Sequence, residues 1–466
     1  MMGAPNFLCL ALLWVWPAIA AALFASLPPR RALAVAFVVG WLFLPMLSLP
    51  MPFVKYDKHA ATSIGAILGV ILFDPKRLTA FKPGLIDLPM IVWCLVPFSA
   101  TMSNSGSAGM SAYTGLSATA TEVIKWGVPY FLGRVYYGDP IGLRGLAVWT
   151  LIAGVLYIPF CLVEIAISPQ LHFMAYGFYQ HEFTQVIRMG GYRPMVFLQH
   201  GIAVGNMMAA ATLVGFWLWW TGSLKTLFNM PAWVSVMAVL GTTLAVKSTG
   251  ALLLAFVGIG ALLATRMFKN HLVLLALCVG PFLYIGARSV GGWDGENLVG
   301  LVASAFGEER SLSLKCRFDN ENILLAKAMQ KPAFGWGPNG NNLVLLEDGV
   351  TISSIPDGQW VIAIGATGIV GLIALFTALS GPTVAAMRRV KAAEWATPLA
   401  AGVAAFAVLL PIHAIDMTQN AMANPLFLLG LGGLAGYAGA PAAAAAVGRP
   451  AHRQGYPALL RRQGVA

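Results

Sequence analysis

Apolar segments of about 18–25 residues recur along nearly all of this chain, and their length constrains the fold more than any other feature. Wound as a helix, such a segment matches the hydrocarbon thickness of a bilayer. Inside a bilayer only helices and closed barrels satisfy their own backbone hydrogen bonds. A barrel would alternate polar and apolar residues over roughly ten positions, and no such alternation is present. Composition agrees: of 466 residues, 58% are hydrophobic and 10% charged, against about 25% charged in soluble domains. The expected fold is therefore an all-α polytopic membrane protein with about 12–13 transmembrane helices. The windows lie near 7–26, 32–53, 60–74, 85–102, 118–137, 143–167, 200–220, 230–247, 250–267, 271–288, 360–381, 397–414 and 422–440. The third is short enough to be re-entrant or tilted. The first has no basic stretch before it and reads as a membrane anchor rather than a signal peptide.

Lysine and arginine are distributed unevenly between the connectors. Arg30 and Arg31, then Lys76, Arg77 and Lys82, then Lys225, then Arg266 and Lys269, then Arg388, Arg389 and Lys391 occupy alternate ones, and the tail adds Arg449, Arg453, Arg461 and Arg462. Lys55 is a mild exception. The positive-inside rule places that side in the cytoplasm. The net charge of +11 thus follows from topology, and nucleic acid is not an expected partner. The chain divides into an N-terminal bundle (1–168), a first outward loop (169–199), central helices (200–288), a large outward loop (289–358), C-terminal helices (359–440) and a basic cytoplasmic tail (441–466). Cys9, Cys94, Cys161 and Cys278 fall in apolar windows and only Cys316 in a loop, so no disulfide framework is expected. Neither CxxC nor HExxH occurs, and the expectation is no metal and no cofactor.

Both long loops face one side, and polar chemistry collects there. Ionisable groups inside or at the edge of a span are costly and default to functional candidates. Lys125, Arg134 and Glu164 are of this kind but read first as groups that snorkel or pair within the bundle. Lys247, in VKSTGALLLA, and His413, with Asp416 at the end of a span, lie at the outer boundary. In the first outward loop Gly190 and Gly191 permit a sharp turn, and the residue before Pro194 is kept extended, which presents Arg188 and Arg193. Guanidinium groups match phosphate oxygens in bidentate geometry. His200 reads as a structural hydrogen-bonder. The large loop carries Arg317, a helix-like run from Asn320 to Met329, and the sequence FGWGPNGNN, from which Trp336 and Asn339 are candidate substrate contacts. Its glycines suit either close approach of backbone N–H groups to an anion or plain turn chemistry. The loop closes on Asp357, Gly358, Gln359 and Trp360.

An outer-loop Arg-Pro segment, a polar TG run opening a span, an arginine before a short helix, a P-x-FGWGPNG turn and then GATGIVGLIALF come in this order from about 185 to 376. The arrangement resembles the O-antigen ligase and O-antigen polymerase superfamily, which includes exopolysaccharide polymerases. The resemblance implies a membrane glycosyltransferase of the C type, in a bacterial inner membrane with its active site toward the periplasm. Its donor would be undecaprenyl-diphosphate-linked oligosaccharide and its second substrate a saccharide acceptor, with no nucleotide sugar and no obligatory metal. By the same resemblance Arg193 and Arg317 would hold the diphosphate, and a flippase and a chain-length regulator become candidate partners alongside the lipid bilayer. Many members carry a His-Asn pair at the end of the second loop, where this chain has Asp357 and Gly358. The missing histidine speaks against a ligase.

The chemistry of transfer fits that inventory. A diphosphate leaving group gains negative charge that preorganised arginines stabilise, and the acceptor hydroxyl needs a proton acceptor in reach. The expected catalytic residues are Arg193, Arg317 and Asp357, with Arg188, Lys247, Trp336, Asn339 and His413 in substrate binding. The leading expectation is an inverting polymerase of lipid-linked repeat units. A ligase acting on lipid A core comes second, and a transporter of lipid-linked oligosaccharide third, since transport would place charges at midplane.

Overall fold

The computed structural model describes residues 3–79, 81–107, 109–346 and 352–440, so the tail at 441–466 lies outside the described residues. Its helices are α1 (Phe7–Ser26), α2 (Pro29–Phe43), α3 (Lys58–Phe73), α4 (Pro75–Thr79), α5 (Leu88–Met102), α6 (Ala112–Glu122), α7 (Val128–Tyr136), α8 (Pro140–Ile167), α9 (Leu171–Tyr176), α10 (Gly201–Trp220), α11 (Ala232–Ala245), α12 (Thr249–Phe268), α13 (Leu272–Ser289), α14 (Glu296–Phe306), α15 (Glu308–Ala328), α16 (Gln359–Arg389), α17 (Ala401–Asp416) and α18 (Pro425–Gly439). Short antiparallel hairpins join β1 (Leu49–Met51) to β2 (Val54–Tyr56), β3 (Ile187–Arg188) to β4 (Gly191–Tyr192), and β5 (Thr226–Leu227) to β6 (Met230–Pro231). Among the described residues seven helical stretches are long and apolar enough to cross a membrane, and α3, α11, α17 and α18 are shorter apolar helices. The protein is a polytopic helical membrane protein.

Most windows read from the sequence coincide with a helix, and the differences have local causes. The window 32–53 stops at Phe43, because Pro45, Pro50 and Pro52 withhold backbone donors; the chain turns instead into the β1–β2 hairpin. The window 118–137 starts earlier, at Ala112, and carries a π-helical turn at Val123–Gly127 between α6 and α7. The short third window is α3, packed along α1 and α2. The window 360–381 runs on to Arg389 but breaks at Gly368, whose φ of 66° and ψ of −168° are non-helical. The loop helix expected over 320–329 begins at Glu308.

Hydrogen bonds sort the connectors into two groups at opposite ends of the bundle. At one end Arg30 pairs with Asp139, Arg134 grips Asp87 through Nε at 2.8 Å, Arg144 Nε reaches Ser223 Oγ at 3.0 Å, and Ser223 Oγ donates to Pro398 O. Arg389 donates to Tyr437 O at 2.8 Å there. At the other end Asn6 N donates to Tyr176 O, Met46 N to His172 Nε2, Asn104 Nδ2 to Gly335 O and Gln359 N to Met417 O. The lysine- and arginine-rich connectors share the first end, and both long loops share the second. Arg134 thus pairs within the bundle, as its bland reading expected.

Three helices are buried almost all round, α10, α17 and α18, and so form the centre against which the others pack. Close approach elsewhere rests on small residues: a Cβ added at Gly432 of α18 would sit 1.9 Å from Tyr130 O of α7, a backbone contact of the kind membrane helices favour. Two of the three carry polar groups near their outer ends, Asn206 on α10 and Asp416 on α17.

Candidate functional site

Glu164 sets up the first loop. Buried at the outer end of α8, its carboxylate accepts from Leu171 N at 3.0 Å, Met195 N at 2.8 Å and Val196 N at 2.7 Å. Three backbone donors satisfy a buried carboxylate well, and they pin the loop immediately after Arg193 and Pro194. Before them the chain makes the β3–β4 hairpin, with Met189 and Gly190 both at positive φ, as a two-residue hairpin turn of this hand requires. Arg193 N donates to Val186 O at 2.8 Å, and the aliphatic stem of Arg193 lies against Gly201, where an added Cβ would come within 2.4 Å of Cδ. Lys247, in left-handed conformation, donates to the hairpin carbonyls of Arg188 and Met189 at 3.3 and 3.4 Å. The position therefore shapes the loop that presents Arg188.

His200 caps α10. Its Nδ1 accepts from Ile202 N at 3.0 Å, and its ring meets that of His181 edge-on at 4.8 Å. Burial first, and then the positive charges of Arg193, His181, Arg188 and Arg317, push its pKa from 6.5 down to about 3. His200 is the structural hydrogen-bonder the sequence suggested, and Arg188, Arg193 and Arg317, from two separate loops, all lie near enough to act on its charge.

Arg317 comes this near because α15 is anchored beneath it. One turn further along, Glu321 is 3% exposed and accepts from Trp360 Nε1 at 3.0 Å, Tyr284 OH at 2.7 Å and Arg288 Nε at 3.1 Å. Burial raises its carboxyl pKa, and these partners pull it back. Arg288 also holds Phe318 O, Trp293 O and Asn322 Oδ1. Held this way, Arg317 lies with Nε 3.5 Å from Asp357 Oδ2, and its Nη1 donates to Gln419 O at 3.0 Å and Asn420 Oδ1 at 3.3 Å. Asp357 is about half exposed, at 47%, and Gly358, the N-cap of α16, leaves the helix with no side-chain cap. Its carboxylate turns to the arginine.

A polar chain runs inward from there. Asn420 Nδ2 donates to Asp416 Oδ1 at 2.7 Å, and Asn206 Nδ2 donates to Asp416 Oδ2 at 2.6 Å. Below Asp416 an apolar slot opens between α10, α12 and α17, walled by Ala209, Leu213, Ala255 and Ile412. His413 lines it, 3% exposed, with its ring edge-on to Phe427 at 4.9 Å and no hydrogen-bond partner for Nε2 among the described residues. From Asp416 to Leu409 at its inner end is about 10 Å of helix.

The structure thus brings Arg188, Arg193, Arg317 and Asp357 to one place, with His413 in the slot beneath. Trp336 and Asn339 lie apart from it, in a turn that docks on the break in α16. Trp336 N donates to Gly365 O at 2.8 Å, Gly337 N to Ala366 O at 3.0 Å and Ile369 N to Pro332 O at 2.8 Å. The two segments pack so closely that a Cβ on Gly335 would fall 2.6 Å from Gly365 O, and one on Gly368 2.2 Å from Ala333 O. Trp336 Nε1 is spent on Lys327 O, and Asn339 is exposed at positive φ. Of the two readings the glycines left open, the N–H groups of Trp336 and Gly337 serve turn packing. Sequence reasoning assigned no role to Asp416, Asn206, Asn420 or Glu321. A lone polar residue inside the apolar run GIAVGNMMAAA was the available signal for Asn206. A search of protein-family models and of curated proteins gave no match.

Proposed function

We propose that this protein is a glycosyltransferase that polymerises undecaprenyl-diphosphate-linked oligosaccharide repeat units on the outward face of a bacterial inner membrane. The observation that carries the reading is the meeting of Arg193, Arg188 and Arg317 at the mouth of an apolar slot. An amphiphile with an anionic head and a hydrocarbon tail fits that junction: head oxygens on the guanidinium forks, tail between α10, α12 and α17.

Each residue then has a task. Arg193 and Arg317 bind the diphosphate and stabilise the charge it gains as the bond between the anomeric carbon and the phosphate oxygen breaks. Arg188, positioned by Lys247, adds a further positive charge. Arg317 pairs with Asp357 at 3.5 Å. A diphosphate takes over that pairing and releases the carboxylate toward the acceptor. The acceptor hydroxyl attacks the anomeric carbon opposite the leaving group, its proton passes to Asp357, and undecaprenyl diphosphate departs with inversion. Asp416, held on both oxygens by asparagines, orients the floor of the site through Asn420.

Polymerase is favoured over ligase because the junction residue is Asp357 where the ligase-like pattern has histidine. The lipid content of a strain lacking this gene distinguishes them. A polymerase deletion accumulates undecaprenyl-linked single repeat units, whereas a ligase deletion accumulates undecaprenyl-linked finished polymer. Wild-type levels of both would contradict the proposal.

A further inference from the structure

We propose that a second, polar cleft beside Asn206 holds the saccharide acceptor, an inference that rests on the glycosyltransferase reading above. Asn206 borders two cavities. One is the apolar slot already described. The other opens at the same outer end and mixes polar residues, Lys58, His59, Gln199, Asn206 and Asn424, with apolar ones that include Trp41 and Met422. The Asn206–Asp416 hydrogen bond of 2.6 Å is therefore the partition between them. A group in the polar cleft lies one side chain away from the carboxylate that leads, through Asn420, to Arg317.

The lining of the cleft suits a polyhydroxylated ligand. Among the described residues no carboxylate lines it, which does not favour a cation. Lys58 is 2% exposed and gives two donors to Phe197 O at 2.9 Å and Leu44 O at 3.5 Å; an ammonium has three. Asn206 commits its amide nitrogen to Asp416 and offers its carbonyl oxygen. His59 adds a ring nitrogen, and Trp41 an aromatic face. Mixed donors and acceptors beside an aromatic wall are what sugar hydroxyls and sugar C–H faces pair with. As it stands the cleft has room for about one water, and Gln199 Nε2 lies 2.7 Å from Met422 Sδ. Thioether sulfur is a weak acceptor and methionine is readily repacked, so a sugar hydroxyl displaces that contact at low cost. A transferase needs its two substrates side by side with the reacting atoms between them, and a shared asparagine wall provides that adjacency.

The test uses the full-length protein in lipid nanodiscs and two probes: undecaprenyl diphosphate, followed by native mass spectrometry, and free oligosaccharides released by mild acid from the source organism's lipid-linked repeat units, followed by saturation-transfer NMR. Ala203 lines the cleft on α10, and Ala203→Phe fills it. Gln199→Ala removes one rim amide without adding bulk. The expected result is saccharide contact in wild type, its loss in Ala203→Phe, and binding about 3–10-fold weaker in Gln199→Ala, the effect of one neutral hydrogen bond. Both variants should hold undecaprenyl diphosphate as wild type does. If Ala203→Phe also loses the lipid it is misfolded, and Gln199→Ala decides alone. Undiminished saccharide contact in the folded variants overturns the cleft. So does a wild-type protein that binds the lipid but no saccharide, which leaves the donor reading standing. A wild-type protein that binds neither sinks the proposed function, and the cleft with it.

Discussion

Arg317 uses Nε toward Asp357 and Nη1 toward Gln419 and Asn420, a division of labour that depends on the planar fork. A lysine keeps the charge but gathers its donors at one point. Arg317→Lys and Arg193→Lys are each expected to abolish detectable polymer at normal protein level. Two aligned bonds to a charged phosphate are worth about 3–6 kcal/mol. Wild-type yield from either, read on polymer ladders, would remove that arginine from diphosphate binding. Asp357→Asn should bind donor normally and turn over about 10²–10⁴-fold more slowly, the usual contribution of a general base. Near-normal turnover with purified lipid-linked repeat units would transfer the search for a base to His413. His200 gives a pH prediction. Its folded pKa near 3 lies below the ordinary 6.5, so the stability it contributes is complete above about pH 6.5 and declines as pH falls toward 3, where the unfolded chain takes a proton the folded one refuses. Thermal unfolding in detergent from pH 8 to 5 should show that decline. His200→Asn, which keeps an N-cap acceptor, should flatten it, and identical slopes would refute the assignment.

Helices that meet lipid were legible in the sequence because each carries its own evidence: a run of apolar residues long enough to span. The loop helix α15 was legible only in its second half. Its first half, EERSLSLKCRFDN, has no clean apolar stripe, and what orders it is the distant set of Arg288, Tyr284 and Trp360 closing on Glu321. Asp416 was seen as a costly charge but not as part of the site, since its partner Asn206 lies 210 residues away. The arginines were legible as residue types, yet their convergence depends on Glu164 pinning one loop and Glu321 the other. That dependence can be tested on Glu321. Removing one member of a buried ion pair costs about 3–5 kcal/mol, so Glu321→Gln should loosen α15, speed proteolysis within residues 289–346 and lower polymer yield while donor binding weakens through misplaced Arg317. Unchanged protease resistance with full activity would show that α15 is held by other contacts.

At the scale of the whole molecule, the chain separates two ends. One gathers the basic connectors through Arg30, Arg134, Arg144 and Arg389. The other gathers both long loops, three arginines, two aspartates and the mouths of two clefts that share Asn206. Between them α10, α17 and α18 form a core buried on nearly every side. An enzyme that joins the saccharide heads of two membrane-borne substrates needs this polarity: a lipid-depth slot, an anion grip at the boundary and room for sugar outside. The most direct measurement is chain growth by the purified protein in nanodiscs, supplied only with undecaprenyl-diphosphate-linked repeat units. A ladder of lengthening glycans with release of undecaprenyl diphosphate is expected, without nucleotide sugar, and no ladder from Arg317→Lys. Repeat units that stay single in the presence of folded, lipid-binding wild-type protein would contradict the polymerase reading.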